Sequence, residues 1–218
     1  MSPEKTISLE LPWYGDWKDF ESEEVEHEGF KCLTEIDLSS PTNKFIKSED
    51  DGAEVDVDGE KIWISKAILS FHSPFFETLF KGDFKEKMTD TYSLKDIKLE
   101  QFLHFLAFIY NLGVIVDKDS VEYLLKLADM YQCEAVTRHC HNFLLQSDSM
   151  PNMERIILSD RYRFSDAAET AIKKTSLDEL KEAAGNGSMK NLIMTNTWSL
   201  IVDRLIEFQS LKSDPDSE

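Results

Sequence analysis

Basic residues are scarce in this chain. Its 218 residues hold 24 Lys and Arg against 42 Asp and Glu, a formal net charge of −18 at pH 7. Such a chain repels phosphate, so unaided binding to nucleic acid or to an anionic membrane surface is disfavoured. No stripe of Lys or Arg offsets that repulsion. Long apolar runs are missing too, and none approaches the roughly 18 residues of a membrane span. The opening Met1-Ser2-Pro3-Glu4-Lys5 lacks the apolar stretch of a signal peptide. Cysteine is sparse and odd in number, at Cys32, Cys133 and Cys140. Such thiols fit the reducing cytoplasm or nucleus better than a secreted disulfide framework.

Signatures of catalysis are also absent. There is no nucleophile elbow, glycine-rich phosphate loop or His-Glu-x-x-His. Gly185-Asn186-Gly187-Ser188 follows no strand and has no Lys-Ser/Thr, so it reads as a turn between helices. His139-Cys140-His141, with Cys133 nearby, invites a metal reading. Adjacent helical residues point about 100° apart, so the three cannot converge on one ion. Cys140 reads instead as a small buried apolar group, with both histidines nearer the surface. The carboxylates of residues 16–28 lie in a charged run and read as a solvated face rather than an acid–base pair. The expectation is a protein that is not an enzyme and needs neither metal nor cofactor.

What is present suffices for a core: 41% of residues are apolar and 11% aromatic. The acidity is concentrated at one end. Residues 1–60 hold 5 basic and 18 acidic side chains, and the remaining 158 hold 19 and 24. Within residues 1–50 an aromatic group, Trp13, Tyr14, Trp17 and Phe20, precedes the acidic run Glu21–Glu28. Phe30–Leu38 partly alternates and could form a strand. Trp13, Tyr14 and Trp17 have two readings. They form a structural arm packed on the domain, or they anchor a client whose basic surface the acidic neighbours steer.

Patterning beyond residue 50 is sharper. Ala53–Val57 alternates with period 2, and Asp58-Gly59 predicts a two-residue hairpin turn before a strand through Ile62 and Ile64. Ser73 as N-cap and Pro74 at the first helical position open a helix bearing Phe75, Phe76, Leu79 and Phe80, which Gly82 ends. Tyr92-Ser93-Leu94 predicts a short strand and residues 83–90 a polar loop. Helical spacing marks residues 99–111, 119–131 and 133–146. Val114-Ile115-Val116 reads as a short strand or an extended connector. Residues 151–209 are nearly all helical by pattern. Phe164-Ser165-Asp166 is expected to cap one helix, and Ser176-Leu177-Asp178-Glu179 is a capping box for another. The last helix covers Thr197–Ile206, and a polar tail begins at Ser210.

Residues 55–147 resemble the BTB/POZ domain. The resemblance rests on Val55-Asp56-Val57-Asp58-Gly59, then Ser65-Lys66-Ala67-Ile68-Leu69, Ser73-Pro74-Phe75-Phe76, Phe108-Ile109-Tyr110 and Leu127-Ala128-Asp129, all in the family's order. Two positions depart from the pattern. Ser65 stands where the family usually has His, and Asp50-Asp51-Gly52-Ala53 replaces the usual opening of the first strand. The resemblance implies an α+β, mostly helical fold: a helix cluster capped by a small sheet, followed by a C-terminal helical extension similar to the 3-box or BACK segment. The expected layout is an acidic arm, partly ordered, at 1–50, the BTB/POZ domain at 51–147, the helical extension at 148–209 and a disordered tail at 210–218.

Function follows from the same resemblance. Family members are protein-interaction modules, and many link a cullin-3 ubiquitin ligase to a client protein. Phe84, Glu86 and Met88, in Phe84-Lys85-Glu86-Lys87-Met88 after the Phe-rich helix, would then be cullin contacts. A groove between residues 133–146 and 151–163 would help to hold the cullin. The other reading of this loop has Phe84 folded back on its own helix and Glu86 in solvent. Self-association would use Lys66, Ile68 and Leu69. The rival expectations are a self-associating scaffold without ligase coupling and a monomeric adaptor similar to elongin C.

Overall fold

The computed structural model describes Leu38 and residues 45–82, 91–185 and 191–213, with side chains as far as Glu207. These residues divide into two compact units. One takes the described part of the chain up to Ile115 together with Lys126–Val136, and the other takes Val116–Leu125 and the chain from Thr137 onward.

The first unit is built on a three-stranded sheet of order β2-β1-β3. Strand β1 (Gly52–Val57) pairs antiparallel with β2 (Glu60–Ser65), placing Val55 opposite Ile62 and Ala53 opposite Ile64. Alternation puts Ala53, Val55, Val57, Ile62 and Ile64 on the buried face. Asp58 and Gly59 make the turn with φ of 56° and 80°. A two-residue turn matching strand twist needs positive φ at both central positions, which Asp-Gly tolerates. Gly59 N–H also donates to Asp56 Oδ1 at 3.1 Å. Strand β3 (Thr91–Leu94) joins the other side of β1 in parallel, with Tyr92 beside Val55 and Leu94 beside Val57. The outer edge of β2 is covered: Trp63 N–H donates to the carbonyl of Leu38 at 2.7 Å, and Leu38 is fully buried.

Helices α1 (Lys66–His72), α2 (Pro74–Lys81) and α3 (Leu99–Ile109) complete this unit, with the adjoining ends of α4 (Val121–Met130) and α5 (Glu134–Gln146). The α2 start is as expected from Ser73-Pro74. Ser73 Oγ accepts from Phe76 N–H at 3.2 Å and donates to the carbonyl of Tyr131. Around Phe76 the core is made of rings: Phe75, Phe80, Phe102 and Tyr131 lie with centroids 4.8–6.5 Å from it. Residues 114–116 belong to no helix or strand and pair with no described strand.

The second unit contains α6 (Asn152–Arg161), α7 (Ser165–Lys174), α8 (Leu177–Gly185) and α9 (Thr195–Ser213). Ile156, Ala171, Ile172, Leu180, Ile193 and Ile201 form its core, with Met153, Trp198 and Leu205 packed at the margin. The capping box on α8 is realised in both directions. Glu179 N–H donates to Ser176 Oγ at 3.3 Å, and Ser176 N–H donates to Glu179 Oε2 at 3.2 Å. The cap expected on α7 is not. Its N-cap position is Phe164, which makes no side-chain cap bond. Asp166 Oδ1 instead accepts from Ala167 N–H at 2.9 Å and meets His141 Nε2 at 2.8 Å. Among the described residues no helix is long and apolar enough to cross a membrane.

Candidate protein-interaction site

Helix α1 leaves the sheet with its N-terminus doubly capped. Ser65 Oγ accepts from Ile68 N–H at 3.2 Å and donates to Asp51 Oδ2 at 2.8 Å. Asp51 Oδ1 accepts from Ala67 N–H at 2.8 Å, and Lys47 N–H donates to its Oδ2 at 3.2 Å. Burial alone would push the Asp51 carboxyl up. The hydrogen bonds from Ala67, Ser65 and Lys47, with the nearby Lys66 charge, outweigh that and hold it below its ordinary value. Asp51 thus caps α1 close to the charge of Lys66. Tyr110 closes the cluster from below. Its hydroxyl accepts from Ser65 N–H at 3.3 Å, and Phe45 stacks on its ring with centroids 4.1 Å apart. Burial raises the Tyr110 phenol well above its ordinary range, so it stays protonated.

The faces of α1 correct one sequence expectation. Leu69 is fully buried and has no surface to offer a partner. Lys66 and Ile68 keep partial exposure. The residue that stands out is Phe71, 85% exposed. Helical geometry explains the exchange: at 100° per residue, Phe71 lies about 40° from Ala67 and 60° from Ile68, whereas Leu69 lies about 160° away. Reading Lys66, Ile68 and Leu69 as one surface ignored that rotation. Ala67, Ile68 and Phe71 form the outward face, and the spacing alone was enough to find it.

Phe84, Glu86 and Met88 lie outside the described residues, as do Trp13, Tyr14 and Trp17. The points from which residues 83–90 depart and to which they return are described. On one side α2 ends at Gly82, whose N–H donates to Thr78 O at 2.9 Å, with Phe80 packed edge-on against Tyr92 at 5.0 Å. On the other, Thr91 begins β3 opposite Glu54. Gly82 and Thr91, the described residues on either side, thus adjoin α2 and the sheet.

In the second unit, the C-terminal half of α5 and α6 are tied by Arg155. This is the bulkiest fully buried side chain described, at 0% exposure. Its Nε and Nη2 donate to Leu144 O at 3.0 and 2.7 Å, Nη2 also reaches Leu145 O at 3.2 Å, and Nη1 donates to Asn152 Oδ1 at 3.0 Å. Burial lowers the Arg155 guanidinium, an effect the Asp148 charge partly opposes. Sequence reasoning passed over this residue because arginine is mostly a surface residue. By helical spacing it also lies off the apolar stripe of Met153, Ile156 and Ile157, about 160° from the first and last of them, so the periodicity gave no signal. Cys133 and Cys140 are buried thiols. Burial raises the Cys133 thiol, which keeps it protonated. His139 is exposed, and no group of three or more described His, Cys, Asp or Glu could hold a metal.

The BTB/POZ domain family model matches residues 52–148. BTB and MATH domain-containing protein 45 of Caenorhabditis elegans is 31% identical over 154 residues, covering 70% of this chain and 32% of that protein. Protein 38 of the same series and organism is 28% identical over 137 residues, covering 62% of this chain and 35% of that protein. This chain spans about a third of the length of these two curated relatives. A solved structure, the BTB domain of human Gigaxonin, aligns with 44% of this chain and 79% of its own at 22% identity and a TM-score of 0.39. Residues 52–148 are a BTB/POZ domain, the hallmark of a family of protein-interaction modules.

Proposed function

We propose that this protein is a substrate adaptor that links a cullin-3-type ubiquitin ligase to a client protein in the cytoplasm or nucleus. The observation that carries the reading is the helical pair directly after the family match. Helices α6 and α7 begin at Asn152, four residues past the matched region, and share the core of Ile156, Ala171 and Ile172. Phe84-Lys85-Glu86-Lys87-Met88, between the described end of α2 and start of β3, would be the cullin contact, with Phe84 as apolar anchor and Glu86 as hydrogen-bond acceptor. The client would bind elsewhere. Trp13, Tyr14 and Trp17 supply aromatic anchors, and the acidic run beside them favours a basic client. Titrating the full chain with the N-terminal region of cullin-3 tests the reading. A Phe84→Ala, Glu86→Ala double variant should bind roughly thirtyfold more weakly. Undiminished binding removes the loop from the contact, and no binding by the wild type removes the function.

A second reading, self-association, has its own observation: Phe71 is 85% exposed on the face it shares with Ala67 and Ile68. A large exposed aromatic marks an interaction surface. Sedimentation should show a dimer for the wild type and a monomer for Phe71→Ser. A wild type that stays monomeric at every concentration ends this reading.

A further inference from the structure

Arg155 is expensive where it lies. A guanidinium with no exposed surface has left water, and among the described residues no carboxylate lies within ion-pair distance to compensate it. The near candidate, Asp148, is held at 2.7 Å by Lys174 Nζ and affects Arg155 only through space. Its partners are instead the carbonyls of Leu144 and Leu145 in the last turn of α5 and the side chain of Asn152 in the first turn of α6. The last carbonyls of a helix have no partner within it, and the helix dipole leaves them partly negative. α5 ends at Gln146 and is followed by Ser147, not by a glycine that could cap those carbonyls. One side chain, reaching back from α6, does the capping. It also fixes the spacing of the two helices, since a planar fork bonding two adjacent carbonyls leaves little freedom of position.

We propose that Arg155 is the positioning residue that sets the α5–α6 geometry and thereby shapes the groove in which a cullin-3-type partner is held. This inference rests on the reading of the chain as a cullin adaptor. Its physical content is preorganisation: two helix walls already at the bound spacing lose little freedom when the partner docks. A methionine at this place fills similar volume but donates nothing. It need not lower global stability, because an apolar replacement also removes the cost of a buried charge. It does release the turn between the helices.

The test uses the full chain with Arg155→Met and Arg155→Lys, the N-terminal region of cullin-3 as titrant, and amide hydrogen exchange as the second readout. In Arg155→Met, the amides of residue 147, bonded to Phe143 O, and residue 155, bonded to Pro151 O, should exchange about tenfold faster or more. Those of Val55 and Ile62 in the sheet should not change. Affinity for the cullin fragment should fall about tenfold. Arg155→Lys, which keeps a cation but loses the fork, should lie between and carries the test if the methionine variant does not fold. Unchanged exchange at 147 and 155 in both variants overturns the clamp. Faster exchange with undiminished cullin affinity overturns its link to the partner. A wild type that does not bind cullin fails the adaptor reading, and the exchange data alone then decide whether the clamp exists.

Discussion

In the first unit, Phe76 meets Phe75, Phe80, Phe102 and Tyr131, and Phe102 meets Phe105 in turn. In the second, the corresponding positions are Ile156, Ala171, Ile172, Leu180, Ile193 and Ile201, with no aromatic ring among them. Buried polar groups divide the other way. The first unit has Ser65 and Ser73, and the second has Ser120, Arg155, Ser159, Asp160, Thr175 and Thr197. Each region is well packed, but the forces differ. Rings bury 150–250 Å² apiece and specify little beyond volume and tilt. A core of aliphatic side chains gains less area per residue than one of rings, and directional bonds help to fix its helices. Asp160 Oδ2 accepts from Met194 N–H at 2.8 Å just before α9, and Thr175 Oγ1 donates to Ala171 O at 2.7 Å where α7 ends.

The sharpest way to break that comparison is to cut into both cores. Phe76→Ala removes the hub of the ring cluster and should cost about 3–5 kcal/mol. Ala171→Gly, equally buried, should cost about 1 kcal/mol, mostly through helix propensity. Urea unfolding of the two variants measures both. Equal losses would mean that the second core is as dependent on volume as the first.

Helix caps sharpen the comparison at a smaller scale. Asp51→Ala removes acceptors for Ala67, Ser65 and Lys47 and should cost about 1–2 kcal/mol. Ser176→Ala, which opens the capping box of α8, should cost about 1 kcal/mol. Only the first carries a resolved pH signature. The folded-state pKa of Asp51 is depressed, so its contribution is full above the unfolded pKa, near 4, and is lost as pH falls through the lower folded value. Asp51→Asn should therefore lose less stability than the wild type between about pH 5 and pH 3. Matching acid profiles for the two proteins would assign the acid sensitivity to other carboxylates.

The same contrast explains what the sequence disclosed. Asp58-Gly59, Ser73-Pro74 and Ser176–Glu179 are local signals, complete within two to four residues, and each forms the turn or cap it predicts. The Phe-rich faces of α2 and α3 were legible because large apolar residues repeat at helical spacing. The parallel pairing of β3 with β1 was not, since partners nearly forty residues apart leave no local mark. Nor was the cover that Leu38 gives to β2. Leu69 was misplaced because three neighbouring residues were read as a patch without rotating the helix. Arg155 was missed for a deeper reason. Patterning sorts residues by polarity, and a buried cation satisfied by helix-end carbonyls belongs to neither class. At the interaction site, the face of α1 could have been read from spacing, whereas Asp51 as its cap depends on how the chain enters the strand.

The smallest effect expected is also the control. Lys81 and Glu77 pair at 2.6 Å on α2, and Lys173 and Glu169 pair at 2.6 Å on α7. Both have the acid four residues before the base, and all four side chains are largely exposed. Solvent screens such pairs, and holding two long side chains in place costs entropy, so Lys81→Ala and Lys173→Ala should each cost less than about 0.5 kcal/mol. The two values should agree, because a surface pair senses its own helix and the water rather than the core beneath. If Lys173→Ala proved clearly the more damaging, charges on α7 would belong with Arg155 and Asp160 to a wider polar scaffold. The contrast between the units would then reach their surfaces. Agreement of the two confines it to the cores, where rings in one region and hydrogen bonds in the other perform the same task.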